Sequence, residues 1–261
     1  MGKKIRTLGD RMKDYETVSD YKLTKKTPVI VRIDGKAFHT YTRGLDKPFD
    51  ETLSQAMEYT CKKLIENVQG CKLAYTQSDE ISLLLTDWDK ITTDSYFGYR
   101  VQKIVSILAS SATVYFNKFM TDKAISWGFA SDEKGDKLLN QWAGKIGYAM
   151  FDARAYNLPK EEVCNYFIWR QKDATRNSIQ SLGRSKFSYK QMLNKNNDEI
   201  QDMLFTEYGI NWNSTPTKWK RGFAVYKDKE SIKSNFEIPI FTQDRNFIEK
   251  FLEVEKDECK N

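Results

Sequence analysis

Two short acidic segments carry the chemistry this sequence can support. Asp34 closes the apolar run Pro28-Val29-Ile30-Val31-Arg32-Ile33 and is followed by Gly35. Asp79 and Glu80 sit in Gln77-Ser78-Asp79-Glu80, between the apolar runs 71–76 and 81–86. Carboxylates held close together repel one another, and a cation offsets that cost. Two divalent ions about 4 Å apart, bridged by such carboxylates, are a common device for in-line phosphoryl transfer. One ion lowers the pKa of an attacking hydroxyl; the other holds a triphosphate and stabilises the leaving pyrophosphate. Gly35 has no side chain, so a metal or phosphate has room to approach its backbone. Each segment alone is also ordinary turn chemistry, because Asp-Gly and Ser-Asp-Glu are frequent in turns and caps. Their joint placement at the ends of apolar strands points to a metal site.

The rest of the composition narrows the choice of metal. The chain has one histidine, His39, which leaves no basis for a Cys/His zinc site and forces any Ser-His-Asp triad to rely on that residue alone. Oxygen ligands and Mg²⁺ remain. The four cysteines, Cys61, Cys71, Cys164 and Cys259, form no CxxC pair. They fit a reduced, cytoplasmic protein with most of them in the core and Cys259 in a charged tail. Lys and Arg exceed Asp and Glu by 42 to 36, and a net charge of +6 permits a nucleic-acid partner without demanding one. No run approaches the ~20 apolar residues of a membrane span, and no apolar segment follows Met1-Gly2-Lys3-Lys4 to make a secretory signal.

The elements that must position the carboxylates follow from periodicity. A short helix is expected at 8–18 and a strand at 28–33, then a loop at 36–50 and a helix at 50–68. Residues 71–86 read as a hairpin, 95–119 as a long helix, 122–144 as a loop and 145–151 as a fourth strand. This β-α-β-β-α-β order predicts an α+β fold. It is a ferredoxin-like palm of the polymerase type, with an antiparallel sheet and both helices on one face. Strands 1 and 3 are then central neighbours, which brings Asp34, Asp79 and Glu80 to one sheet edge. Helices at 160–182 and 196–207, strand-like pieces at 222–226 and 237–241, and a helix at 243–255 predict a mainly helical C-terminal region. The expected division is a catalytic palm at 1–157 and a region at 158–261 packed on it and contacting RNA. Arg100, Lys103, Ser106 and Ser110 share one stripe of the long helix. If that stripe faces the carboxylate end it can hold a triphosphate, with Arg32 and Lys47 adding charge.

From Arg32-Ile33-Asp34-Gly35-Lys36-Ala37-Phe38-His39 onward the sequence resembles the tRNA-His guanylyltransferase family, and most of all its bacterial and phage guanylyltransferase-like members. The resemblance continues through Lys47-Pro48, Ala74-Tyr75-Thr76-Gln77-Ser78-Asp79-Glu80, the Arg100/Lys103/Ser106 helix, Phe151-Asp152-Ala153-Arg154, Trp169-Arg170-Gln171-Lys172-Asp173, Asn211-Trp212-Asn213 and Arg221-Gly222. It spans roughly residues 5–227. It implies a nucleotidyltransferase that extends the 5′ end of tRNA in the 3′-to-5′ direction. ATP or GTP first activates the 5′ end, and the 3′-hydroxyl of an incoming nucleotide, mainly GTP, then attacks it. The implied cofactors are two Mg²⁺ ions, with Asp34, the Gly35 carbonyl and Asp79 as ligands and Glu80 as the adjacent acidic residue. Nucleotide and phosphate contacts fall on Arg32, Lys36, Ala37, Phe38, His39, Lys47, Ser78, Arg100, Lys103 and Ser106. A homotetramer is also implied.

One stretch departs from the family pattern. Where the eukaryotic enzymes have His-Ile-Asn-Asn, associated with tRNA-His recognition, this chain has Thr175-Arg176-Asn177-Ser178. The change favours template-directed repair of truncated tRNAs over dedicated, non-templated addition of one G to tRNA-His. The tRNA itself is expected to meet Arg154, Arg170, Lys172, Arg176, Asn177, Arg184, Lys218 and Arg221, while Phe167 and Trp169 are expected in the core. Two other readings compete. A non-catalytic RNA-binding module shares the strand order but needs exposed aromatics on its central strands, and Val29-Ile30-Val31 and Leu83-Leu84-Leu85 offer none. A nucleotide cyclase shares the carboxylate palm but leaves the basic C-terminal half without a role.

Overall fold

Alternation along the central strands decides which residues face which layer. The protein is described here by a computed structural model that covers residues 6–253 apart from 91, 131 and 230. In chain order the elements are α1 (Leu8–Thr17), β1 (Val29–Gly35), α2 (Phe38–Tyr41), α3 (Glu51–Asn67), β2 (Cys71–Gln77), β3 (Glu80–Leu85), α4 (Val101–Ala130), α5 (Glu133–Trp142) and β4 (Phe151–Asn157). The second half contains α6 (Lys160–Arg184), α7 (Tyr189–Met192), α8 (Asn197–Tyr208), α9 (Thr217–Arg221), β5 (Phe223–Asp228), β6 (Ser231–Asn235) and α10 (Asn246–Glu249). The strands form one antiparallel sheet in the order β4-β1-β3-β2-β5-β6. The expected α+β palm is therefore present, with β1 and β3 paired at its centre.

Val29, Val31 and Ile33 of β1 and Ile81, Leu83 and Leu85 of β3 point to one face. There α3 supplies Met57, Cys61 and Leu64, and α4 supplies Ile104, Leu108, Ala112, Phe116 and Met120. The fourfold spacing on α4 is that of a single buried helical stripe. Both palm helices lie on this face, as expected. Ile30, Leu84, Leu73 and Tyr75 point the other way, where Val163, Cys164 and Phe167 of α6 cover them together with Ile238, Phe241 and Phe247. The Ser82 and Tyr166 hydroxyls share a buried hydrogen bond of 2.7 Å across this interface. Farther along, α6 leaves the sheet and packs Ile179 and Leu182 against Ile200 and Leu204 of α8.

Several boundaries differ from the sequence reading. The expected loop at 122–144 is helical, because α4 runs on to Ala130 and Asp132 caps α5 by accepting from the Gly135 amide. The fourth strand starts at Phe151 rather than 145. The amide of Asn117 donates to the Ala149 carbonyl, and its oxygen accepts from the Ala149 N–H, so the groups a strand would pair are already used. The piece at 237–241 is not a strand: Ile238 and Phe241 are buried, and the strand pairing with β5 is 231–235. The expected final helix is reduced to Asn246–Glu249 and a 3-10 turn at Lys250–Leu252; residues 254 and 255 lie outside the described residues, as does Cys259. Cys61, Cys71 and Cys164 are buried.

Gly222 joins α9 to β5 with φ 79° and ψ −170°, a region that side chains disfavour, and a Cβ there would lie 2.4 Å from the Thr76 carbonyl oxygen. Gly222→Ala is expected to destabilise the fold by about 2–3 kcal/mol, read as a lower urea midpoint with unchanged slope. An unchanged midpoint would contradict the close approach.

Candidate active site

Strand register builds the carboxylate edge. Asp34 on β1 lies opposite Glu80 on β3, and on its other side opposite Asp152 on β4. The two-residue hairpin between β2 and β3 puts Ser78 and Asp79 at the tip, with Ser78 at φ 51°. A positive φ at this position matches the twist of a tight hairpin but strains any residue except glycine. The Gly35 amide donates to the Asp79 carbonyl at 3.1 Å and ties the tip to the end of β1. Asp34, Glu80 and Asp152 thus form a row across three strands, with Asp79 at the adjoining turn. One step down the sheet, Arg32 lies opposite Arg154 and Ser82.

These carboxylates are held under electrostatic tension. Burial pushes Asp79 up to about 6, aided by the charge of Asp34 and opposed by the Ser78 hydroxyl, which donates to it at 3.0 Å. Burial also raises Asp34, and the charge of Asp152 adds to the shift; Arg32, Arg154 and Arg170 pull it back. Hard oxygen donors whose charges are unfavourable without a partner fit Mg²⁺. Asp34 and Asp79 are side chains that could hold such an ion. Among the described residues, no group of three or more His, Cys, Asp or Glu side chains is gathered for a metal ion.

Glu80 is committed to a different partner. Its oxygens accept from Nε and Nη2 of Arg170, both at 2.7 Å, and the two side chains are 9% and 7% exposed. Burial raises the Glu80 carboxyl against the pull of that guanidinium. Arg170 is therefore buried in a bidentate pair rather than spread on an RNA-facing surface. Trp169, expected in the core, is 52% exposed, with the Arg170 guanidinium 4.5 Å and the Arg32 guanidinium 5.9 Å from its ring; Phe167 is fully buried. The Arg32 Nε is buried without a hydrogen-bond partner among the described residues, and Arg32, expected to meet phosphate, does not line the cavity at this edge.

The edge opens on a cavity of about 830 Å³, within the usual range for small-molecule sites. Its lining includes Asp34, Phe38, His39, Lys47, Ser78, Asp79 and Glu80 together with the cations Arg170, Arg176, Arg184 and Lys218 and the amide of Asn177. Lys218 is held by Glu51 at 2.7 Å, and Arg176 pairs with Asp173. Gly35 has a different neighbour from the one expected. A Cβ there would fall 2.3 Å from the Phe38 ring, so its open side is filled by an aromatic rather than left to a ligand. Lys36, Ala37, Arg154, Lys172 and Arg221 lie outside the cavity lining; Lys36, Ala37, Arg154 and Lys172 are exposed, and the Arg221 carbonyl accepts from the Tyr75 hydroxyl.

The cationic stripe of α4 does not face the carboxylates. The Thr113 hydroxyl accepts from the Phe151 amide at 3.2 Å, level with Gly35 at the carboxylate end. Ser106, Lys103 and Arg100 come roughly 10, 15 and 20 Å before it along the helix direction, at about 1.5 Å per residue, and Arg100 pairs with Asp20. Two groups were missed. Asp152 stood in a quoted motif, but its place beside Asp34 requires the true start of β4. The aromatic pair Phe49 and Trp219 lines the cavity with rings stacked at 5.0 Å and 7°; Phe49 carried no sequence signal.

Comparison with known proteins gives these features a family context. A family model described as tRNAHis guanylyltransferase matches residues 9–159. An uncharacterised protein of Acanthamoeba polyphaga mimivirus is 32% identical over 84% of this chain and 77% of its own length. A tRNA(His) guanylyltransferase of Debaryomyces hansenii is 28% identical over 79% of this chain and 76% of its own. Among solved structures, a bacterial tRNA(His) guanylyltransferase-like protein in complex with ATP matches at TM-score 0.85 and 44% identity, covering 95% of this chain and 100% of that one. A second such protein in complex with GTP matches at TM-score 0.76 and 39% identity, with the same coverage. The Saccharomyces cerevisiae tRNA(His) guanylyltransferase, at 22% identity and TM-score 0.65 over 91% of this chain, shares the fold.

The tension at Asp79 has a measurable sign. Its folded pKa of about 6 lies above its ordinary 3.8, so its ionisation costs stability in full above about pH 6, and the cost shrinks as pH falls from there and is gone below 3.8. In metal-free buffer Asp79→Asn is expected to stabilise the fold by about 1–3 kcal/mol near neutral pH, with a gain that shrinks below about pH 6. Denaturant unfolding at both pH values measures this, and an equal gain at both would contradict the shift. Millimolar Mg²⁺ is expected to raise the thermal midpoint of the native chain and not that of Asp34→Asn. Equal responses would remove Asp34 from the metal site.

Proposed function

The chain belongs to the tRNA-His guanylyltransferase family, and on that premise we propose that it adds nucleotides, mainly G, to the 5′ end of tRNA by template-directed, metal-dependent nucleotidyl transfer in the 3′-to-5′ direction. The observation that carries this reading is the half-buried pair Asp34 and Asp79 opening on a cavity that is also lined by Arg170, Arg176, Arg184 and Lys218. Asp34, Asp79 and the Gly35 carbonyl would hold Mg²⁺. When bound there, the metal lowers the pKa of an attacking hydroxyl and neutralises phosphate charge. His39, Lys47 and Ser78, which line the cavity, bind nucleotide and phosphates, and Arg32 adds positive charge beside Asp34. Arg176, Asn177 and Arg184 on α6 hold the RNA backbone across the cavity. ATP or GTP activates the 5′ end, and the 3′-hydroxyl of incoming GTP then attacks it.

The template-directed form is supported by Thr175–Ser178. Arg176, Asn177 and Ser178 line the cavity, but the Ser178 hydroxyl is buried and accepts from the Trp212 indole at 3.0 Å. This stretch is thus partly committed to packing. The second reading, one non-templated G on tRNA-His, is favoured only by the retained Asn177. Residues 1–157 are proposed as the catalytic palm and 158–261 as the RNA-contacting part, with β5 and β6 completing the palm's sheet. A cytoplasmic homotetramer is proposed on the family's precedent. It is supported by the exposed apolar side chains Leu8 and Tyr15 on α1 and Val114, Ile125 and Phe129 on α4. No helix among the described residues is long and apolar enough to cross a membrane.

Incubation with GTP, ATP, Mg²⁺ and tRNA lacking its 5′ nucleotide is expected to extend the 5′ end only where a template base pairs with the addition. A single G added regardless of the opposing base would favour the second reading; a cyclic nucleotide, or binding without turnover, would overturn both. Asp34→Ala and Asp79→Ala are each expected to lower extension at least roughly 100-fold while the far-UV CD spectrum is kept.

A further inference from the structure

We propose that Glu80, Arg170 and Asp173 form a positioning relay that sets the RNA-facing half of α6 in register with Asp34 and Asp79, and that Glu80 serves this relay rather than a cation. The inference rests on the reading that this face of α6 meets RNA. Glu80 and Arg170 lie 90 residues apart in sequence, and the guanidinium fork engages both carboxylate oxygens at 2.7 Å. Nη2 of Arg170 donates again to Asp173 at 3.0 Å. Asp173 in turn accepts from Arg176 through its other oxygen and from the Asn177 amide at 3.4 Å. Arg176 and Asn177 line the same cavity as Asp34 and Asp79. At its other end the relay begins one residue after Asp79 and directly opposite Asp34 in the sheet.

The location of the pair gives it this role. Before it, α6 is fixed to the sheet by Val163 and Phe167; after it, the helix packs on α8 and α9. The Glu80–Arg170 pair is the side-chain link that ties α6 directly to the carboxylate edge. A planar fork on a carboxylate fixes distance and orientation together, which a lysine ammonium does not. Drawing Glu80 away to a cation would leave a buried guanidinium short of its main partner, an expensive outcome. Asp34 and Asp79 carry no such commitment.

Four variants test the relay: Glu80→Gln, Arg170→Lys, Arg170→Gln and the double Glu80→Gln/Arg170→Gln. Manganese titration followed by electron paramagnetic resonance reads cation binding. Extension assays give KM separately for RNA and for GTP. Glu80→Gln is expected to bind Mn²⁺ within about twofold of the native chain, while Asp34→Asn weakens binding at least about tenfold. KM for RNA is expected to rise at least about tenfold in Glu80→Gln, Arg170→Lys and Arg170→Gln, with KM for GTP within about twofold. The double variant is expected to be no worse than the poorer single one. Loss of Mn²⁺ binding in Glu80→Gln equal to that in Asp34→Asn overturns the proposal, as does a parallel rise in both KM values or multiplied defects in the double variant. If Arg170→Gln does not fold, Arg170→Lys, which keeps the charge and loses the fork, gives the same readout. Failure of the native chain to extend RNA would strike the proposed function alone. Mn²⁺ binding, and non-additive thermal midpoints across the four variants, would still decide what Glu80 does.

Discussion

The pairing of β1 with β3 is the constraint on which the rest depends. A slip of one residue would turn Val29, Val31 and Ile33 out of their core and send Asp34 to the wrong face. The apolar layers on both sides of the sheet exclude that slip, because α3 and α4 bury one set of side chains and α6 the other. Asp34 is thereby fixed opposite Glu80, and the Gly35 amide is fixed on the Asp79 carbonyl. The carboxylate edge is a consequence of hydrophobic register rather than of any attraction between its members, which repel.

That repulsion is moderated rather than removed. Arg32 and Arg154 lie in the next row of the sheet, and Arg170 reaches the edge from α6. The three cations pull Asp34 down while burial and Asp152 push it up. Full neutralisation by arginine would leave nothing for a metal, and none would leave the edge too costly to fold. Glu80 takes the bidentate partner, and the half-buried Asp34 and Asp79 are left without one. The same pair joins the carboxylate edge to α6, whose Arg176 and Asn177 also line the cavity. Electrostatic balance and the placing of the RNA-facing helix are therefore properties of one set of contacts.

Much of this was legible in the chain. The β-branched runs at 29–33 and 81–85 and the helical periodicity at 50–68 predict the palm, and the palm alone brings Asp34 to Asp79. The scarcity of histidine points to oxygen ligands. Features that depend on side-chain geometry between distant segments were not legible. The Glu80–Arg170 pair joins two motifs whose relation cannot be read from spacing, so Glu80 looked like a third acid of the site and Arg170 like a surface cation. Asp152 was hidden because the apolar run before it suggested that the strand ended at 151, whereas Asn117 occupies the backbone of Ala149 and delays the strand. Helical periodicity grouped Arg100, Lys103 and Ser106 on one stripe but gave no information on which end of the sheet that stripe begins.

The most direct test of the metal-dependent site is anomalous diffraction from crystals grown with Mn²⁺ and a non-hydrolysable GTP analogue. Density for manganese is expected within roughly 2.0–2.3 Å of carboxylate oxygens of both Asp34 and Asp79, with Glu80 still paired to Arg170. Manganese bound elsewhere, or a nucleotide seated in the cavity with no metal at either aspartate, would contradict it.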